Sequence, residues 1–513
     1  MKTVLEYLDL RLKNAPDKPM FCGDGETLTV SDAAARSDAI GSALLRRGAD
    51  REPVLVFMKR SPAMIAAFFG VWKANCFYVP VDAEMGETRI RSILDRVQPR
   101  FAVKDGSADA LLAACGFQGK ALDADTLLSE PADAAALDAA KARRLDSDPA
   151  YLVFTSGSTG APKGVVGVHR AVLDYAGQIT AALKADETDV FGMQAPLYVD
   201  ACLKEILSAL KCGSSVVLVP KKLFMTPVPL VEFLNANRIT TLCWVVPALT
   251  LISALHTFDA VVPRYLKTVA FGSEVMPPKQ LRIWREHVPA RYLNLYGPTE
   301  CTGMSCCYEV DRDFADGERV PIGRAFDNAE IFLVDENGRR ADEGEIHIRG
   351  TSVCYGYFRD PERTKNAFVQ NPLQSDYPET VYRTGDLGRF NERGEDYIRM
   401  KQARGIKERV ILYSGALRSI MPNIITLVGI NIGRLLGGTA IIEIVCTYQG
   451  IGRLAVNSIT NRDYPMMQGY ILVMATIYVL VNLIVDLLHA AVDPRVKNRF
   501  VLEGMKGGGN GKK

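Results

Sequence analysis

The sequence predicts an α/β protein with largely parallel sheets up to about residue 393, followed by an all-α membrane segment with two transmembrane helices. Amphipathic helical stretches alternate with short apolar runs through most of the chain. A β-rich stretch follows between about 305 and 390, and two long apolar runs dominate what comes after. The composition agrees: 513 residues, 48% hydrophobic and 23% charged, supply enough apolar mass for several packed cores. A formal net charge of +2 with no local basic patch argues against nucleic acid as a partner.

The start, "MKTVLEYLDLRLKNAPDKPM", disperses its charges and has no apolar signal core, so the first part is expected in the cytoplasm. "SDAAARSDAIGSALLRRG" reads as a helix. Ser31 is placed to accept from first-turn N–H groups, Arg46 and Arg47 lie near the negative end, and Gly48 can close it. "EPVLVFM" then reads as a strand, "RSPAMIAAFFGVWKA" as a helix and "CFYVPV" as the next strand. Further on, "AEIFLVDENGRRADEGEIHIRG" alternates on either side of the turn "ENG", which predicts a mainly β subdomain over 305–390. The eleven cysteines lack paired metal spacing. The group Cys301, Cys306 and Cys307 has no nearby His, so free thiols in a reducing compartment are expected. His169, His256, His287 and His347 show no metal or triad spacing and are expected to be structural.

The chemistry begins at "YLVFTSGSTGAPKGVVGVHR", residues 151–170, where an apolar strand runs into a loop of hydroxyls and glycines before a lysine. Glycines let the backbone turn its N–H groups toward one point, hydroxyls add donors, and Lys163 adds a full positive charge, so the loop suits a polyphosphate. Its spacing differs from the GxxxxGK[ST] nucleotide loop.

"FTSGSTGAPKG", "NLYGPTE" at 294–300 and "YRTGDLGRF" at 382–390 resemble three signature motifs of the acyl-adenylate-forming enzymes, in particular the amino-acid adenylation domains of nonribosomal peptide synthetases. Lesser matches fill the intervals: "VWKANCFYVPVD", "AFGSE", "IGRAFDN", "GEIHIRG" and "GYFRDPERTKNAF". Asn75 stands where the family usually has glycine, a mild departure because asparagine tolerates a left-handed turn. The resemblance covers residues 1–393 and implies two doubly wound α/β subdomains plus a β-rich one. It also implies activation of a carboxylate, an amino acid or other small acid, by ATP with Mg²⁺. Thr155, Ser156, Gly157, Ser158, Thr159, Gly160 and Lys163 then form the β- and γ-phosphate cradle. Tyr296 stacks on adenine, Gly272, Ser273 and Glu274 line that pocket, Thr299 contacts the α-phosphate, Glu300 holds Mg²⁺ and Asp386 accepts the ribose hydroxyls. "PLYVDACLKEIL" resembles the segment that receives an amino acid, placing Asp200 on its α-ammonium. Lys204 lies one helical turn on, where an acidic side chain would be its partner if it faces the pocket. Ala201, Ala248, Val269, Leu295 and Met304 are candidate wall residues, and a carrier-protein thiol is a candidate acceptor.

Such an enzyme should continue from "GDLGRF" through an Asp-containing hinge into a mobile lid that carries a further catalytic lysine. "RMKQARGIKERV" places Gln402 and Arg404 tolerably on the hinge but lacks its aspartate, and no lid sequence follows. Residues 419–446 and 470–492 are instead apolar, interrupted only by Arg434, Glu443 and Asp486. Each is long enough for a bilayer core of about 30 Å. Lys401, Arg404, Lys407, Arg409 and Arg418 precede the first run, and Arg495, Lys497 and Arg499 follow the second, which places both flanks in the cytoplasm. Residues 394–498 resemble the end of the inner-membrane permease of dipeptide, oligopeptide and nickel ABC importers. In that resemblance Ala403, Gly405 and Pro422 lie in a coupling loop for an ABC ATPase partner. The two resemblances meet near Glu395 without a linker, as in a chimera, and residues 499–513 read as a flexible tail.

Overall fold

The computed structural model describes residues 1–155, 162–390, 396–399, 451–460, 463–476 and 479, with 396–399 and 451–453 described by backbone alone. The chain divides into two compact units, Met1–Ala403 and Arg404–Lys513.

Helix-to-strand alternation in the first unit produces two parallel-rich sheets. In one, six strands run in the order Lys120–Asp123, Phe101–Lys104, Pro53–Phe57, Phe77–Val81, Pro149–Thr155 and Lys163–Val168. All neighbours are parallel except the last pair, which forms an antiparallel hairpin with Thr155 opposite Lys163. The other sheet has nine strands, with Ser215–Leu218, Val190–Met193, Thr241–Val245, Thr268–Gly272 and Arg291–Tyr296 as its parallel centre. Pro19–Gly23, from the start of the chain, extends it beside Ser215–Leu218.

One apolar cluster draws residues from both sheets and from helices Val30–Arg46, Pro62–Lys73, His169–Leu183 and Leu203–Cys212, so these helices form a shared inner layer. Separate clusters cover the outer faces, one with helix Glu87–Val97 and one with helices Pro227–Ala236, Val246–Ala254 and Pro278–His287. The two expected α/β subdomains are therefore two sheets sandwiching one helical layer.

The local expectations fare unevenly. Helix Pro62–Lys73 is capped by Ser61, whose hydroxyl accepts from Met64 N, with proline at the start of its first turn. Helix Val30–Arg46 begins earlier than expected. Its cap is Thr29, which forms a reciprocal capping box with Asp32, and Ser31 lies inside the first turn with its hydroxyl 2.9 Å from that of Thr29. Gly48 adopts φ +75° beyond the helix end, as expected. Asn75 is left-handed at φ +58°.

The β-rich subdomain is a five-stranded sheet that includes Ala329–Val334, Glu343–Gly350 and Thr380–Phe390, antiparallel throughout. It starts later than the expected residue 305. Cys306–Glu309 and Arg324–Ala325 extend the edge of the nine-stranded sheet instead, because left-handed Thr302 and Gly303 turn the chain straight back along Arg291–Tyr296.

In the second unit, Ile451–Thr460 and 464–476 are helical. No helix among the described residues is long and apolar enough to cross a membrane. The expected span 419–446 lies outside the described residues, as does 470–492 apart from 470–476 and 479. The junction at Glu395, the whole coupling loop with Ala403, Gly405 and Pro422, and the tail 499–513 also lie outside them.

Candidate active site

The site forms where the carboxyl end of the nine-stranded sheet meets the Thr155/Lys163 hairpin and the long strand Thr380–Phe390. Lys163 starts the second strand of the hairpin, and its Nζ donates to Glu300 Oε1 at 2.5 Å. Glu300 sits in the short turn Thr299–Cys301 that follows strand Arg291–Tyr296. The Tyr357 hydroxyl donates to the same Oε1 at 2.7 Å and lies 3.0 Å from Lys163 Nζ. Burial works against the Lys163 charge, but the neighbouring Glu300 carboxylate and the Tyr357 bond outweigh it, so its pKa is raised.

The next turn of chain carries the second half. Thr299 Oγ1 donates to Asp200 Oδ1 at 2.9 Å, and Tyr296 donates its hydroxyl to Asp386 Oδ2 at 2.8 Å. Burial, then the adjacent Asp386 charge, pushes the Tyr296 hydroxyl well above the usual tyrosine range. A cavity of about 290 Å³ opens between these groups, lined by Ser273, Glu274, Leu295, Tyr296, Thr299 and Asp386 among others. Its rim holds Ser273 at φ +70°, a left-handed non-glycine residue of the kind that marks functional turns. Gly272 stands just behind it, where an added Cβ would meet the carbonyl oxygen of Leu295 at 2.4 Å.

Asp200 is buried. Burial raises its carboxyl pKa, opposed by the Thr299 hydrogen bond and by Lys204. Lys204 is 6% exposed and makes no hydrogen bond or ion pair among the described residues. Ala201, Leu295 and Met304 pack in the inner-layer cluster, whereas Ala248 and Val269 pack in the outer-face cluster with Trp284. Ser156, Gly157, Ser158, Thr159 and Gly160 lie outside the described residues. Their flanking residues Thr155 and Lys163 face each other across the hairpin, and the Thr155 hydroxyl is a buried donor without a partner among the described residues.

Tyr357 has no role assigned to it by the sequence pattern, although it lies in the motif "GYFRDPERTKNAF". Asn294, Val320 and Ile322 also line the cavity, and of these Val320 falls in none of the motifs. No cluster of three metal-ligating side chains occurs among the described residues. The donor set nonetheless suits a Mg²⁺ that keeps several waters. Both hydrogen bonds to Glu300 converge on Oε1, and Oε2 makes none among the described residues, which leaves a hard anionic oxygen for the ion.

A layered α/β core with a hydroxyl-and-lysine hairpin facing an acidic turn defines an AMP-binding enzyme. The chain belongs to that family, which matches residues 8–358. It is 31% identical to the L-proline--[L-prolyl-carrier protein] ligase of Streptomyces coelicolor over 427 residues, 78% of this chain and 76% of that protein. It is 30% identical to tyrocidine synthase 3 of Brevibacillus parabrevis over 395 residues, 76% of this chain but 6% of the relative. The chain thus spans only a small fraction of that synthetase's length. Among solved structures, the nonribosomal peptide synthetase FmoA3 superposes with a TM-score of 0.70 at 25% identity, over 77% of this chain and 42% of that one. The N-terminal subdomain of Klebsiella oxytoca NpsA shares the fold with a TM-score of 0.67 at 21% identity, over 78% of this chain and 99% of that one. The core is therefore an adenylate-forming ligase domain. A second family, the inner membrane component of binding-protein-dependent transport systems, matches residues 388–498.

Proposed function

We propose that the core activates an amino acid with ATP, giving an aminoacyl-adenylate and pyrophosphate. A carboxylate oxygen attacks the α-phosphorus, the bond to the β-phosphate oxygen breaks, and its electron pair leaves with pyrophosphate. The observation that carries this reading is the 2.9 Å bond from Thr299 to Asp200. It joins the residue assigned to the α-phosphate to the one assigned to the substrate ammonium, as a reaction between those two partners requires. Lys163 and the hairpin loop hold the β- and γ-phosphates, Tyr296 and Asp386 take adenine and ribose, and Glu300 holds Mg²⁺. When bound, the ion neutralises phosphate oxygens as charge moves onto the leaving group. Buried Lys204, with no ion-pair partner among the described residues, makes an acidic side chain the first class to test. A carrier-protein thiol is the proposed acceptor, supported by the named activity of the proline ligase relative. ATP-dependent hydroxamate formation by the full chain, screened over the common amino acids with and without an added lid domain, tests the assignment. Product with one or a few amino acids is expected, and none with any amino acid even in the presence of a lid would overturn it.

A second reading concerns residues 394–498, proposed as a permease-like segment in the inner membrane with an ABC ATPase as its partner. The transporter-family match supports it, as do the exposed apolar side chains of helix 464–476, where Ile471 is 58%, Leu472 70% and Val473 53% exposed. Fractionation of the full chain should place it with membranes, and a wholly soluble distribution would argue against this reading. Because a match to an enzyme family over residues 8–358 is followed in the same chain by a match to a transporter family over 388–498, we propose that the chain is a fusion of two unrelated pieces.

A further inference from the structure

We propose that Tyr357 is a positioning residue that holds the Glu300 carboxylate for the metal–nucleotide complex; this rests on the ATP-binding function proposed above. Tyr357 belongs to a strap, residues 352–358, that is stitched to both halves of the phosphate site. On one side, Tyr355 N donates to Val166 O at 3.0 Å, Val166 N to Gly356 O at 3.0 Å and Phe358 N to Gly164 O at 2.8 Å, so the strap runs along the strand that Lys163 begins. On the other side, Cys354 N donates to Glu300 O at 2.9 Å, and Thr302 Oγ1 donates to Ser352 O at 2.9 Å. The strap therefore fixes the distance between Lys163 and Glu300 through the backbone.

The ring leaves the tyrosine little freedom. It is 7% exposed and meets Phe368 edge-on at 5.5 Å between centroids, and its own N–H is anchored on Thr364 Oγ1 at 2.9 Å. A phenol has one proton to give. Lys163 has no acceptor, so the order is fixed: Lys163 donates to the Tyr357 oxygen, and Tyr357 donates to Glu300 Oε1. With both donors on Oε1, Glu300 is oriented with Oε2 turned away from them. When a triphosphate draws Lys163 off, Tyr357 is the remaining described donor on the carboxylate. Without it, nucleotide binding would strip Glu300 of its orientation at the moment the ion arrives.

The experiment measures the dissociation constant of ATP for the full chain in Mg²⁺ and in EDTA, by calorimetry, without turnover. Wild-type protein should bind ATP more tightly with Mg²⁺. Tyr357→Phe should lower that enhancement about fivefold to tenfold, as loss of one charge-assisted hydrogen bond implies, while affinity in EDTA stays within about twofold. Thr364→Val, which releases the anchor of the Tyr357 N–H, should shift the ratio the same way by less and serves if the first variant folds poorly. In a Glu300→Gln background, Tyr357→Phe should have no further effect on the ratio. Equal weakening with and without Mg²⁺, or an unchanged ratio, would reduce Tyr357 to a packing residue and overturn the proposal. No ATP binding by the wild type would overturn the functional reading as well.

Discussion

Glu205 is 0% exposed and neither carboxylate oxygen has a hydrogen-bond partner among the described residues. Burial pushes its pKa up to about 7, opposed by Lys204, its own backbone and Arg60. Arg60 spends its donors on the carbonyls of Met193, Ala195 and Val219 rather than on the carboxylate. The native state therefore holds a proton that the unfolded chain gives up near the ordinary glutamate value. Stability falls as pH rises through the window from about 4.5 to about 7, and the full cost is present above it. Glu205→Gln does not titrate, so it should match wild type near pH 4 and exceed it by roughly 3 kcal/mol at pH 8. His169 shifts oppositely, down to about 3 by burial and then by Arg144, which removes stability as pH falls. That contribution is common to both proteins and cancels in the difference. All three tryptophans lie in the core, so urea unfolding followed by their fluorescence reports this unit alone. Parallel pH curves for the two proteins would contradict the account. At the substrate site, Asp200→Asn removes the charge proposed for the ammonium and should cut amino-acid-dependent hydroxamate formation by about tenfold to a hundredfold. ATP affinity should be nearly unchanged.

At the scale of elements, the turn at Asn75 joins helix Pro62–Lys73 to strand Phe77–Val81 and does more than replace a glycine. Its Nδ2 donates to Ala140 O at 2.8 Å and its Oδ1 accepts from Arg144 Nε at 2.9 Å, tying helix Ala134–Arg143 and the buried Arg144 to the turn. Asn75→Gly keeps the left-handed φ without strain but strands the Arg144 donor, at a cost of about 1–3 kcal/mol. Asn75→Ala adds about 1 kcal/mol of left-handed strain, so it should be the less stable of the two in urea. The reverse order would mean that conformation matters here less than packing. The left-handed turn was legible in the sequence because it depends on one residue type, and helix Pro62–Lys73 because its pattern depends on neighbours. The Thr29 cap was local too, but it sits at the end of strand Glu26–Thr29, where the helical pattern has not yet begun. Tyr357 was not legible in that way. Its hydroxyl meets partners 194 and 57 positions away, and no spacing rule reaches across three separate segments. The same holds for Pro19–Gly23, whose place beside Ser215–Leu218 is set by the sandwich and not by its own pattern.

The two family matches along the whole chain make a demand that neither unit meets alone. Motif resemblance implies that adenylation needs a mobile lid after the Asp386 segment, carrying a lysine for the reacting carboxylate. Here the transporter-family match begins at 388, inside strand Thr380–Phe390, and the proposed fusion would put a permease-like segment where a lid should follow. The groups proposed to bind ATP all precede that point, so nucleotide and amino-acid binding should survive while the chemical step suffers. Removing one preorganised donor to a developing charge typically costs about 10²–10³ in rate. Substrate-dependent exchange of pyrophosphate into ATP by the full chain should therefore lie about that far below the same core carrying a relative's hinge and lid from residue 391 onward, with similar ATP affinity in both. Equal exchange rates would mean that the lysine is dispensable or that the second unit supplies its own, and the fusion would then be a working enzyme. A single uninterrupted read of the genomic DNA across codons 385–400 separates the remaining alternatives: one continuous locus makes the low rate a property of a real protein, whereas two loci assign each half to a different parent.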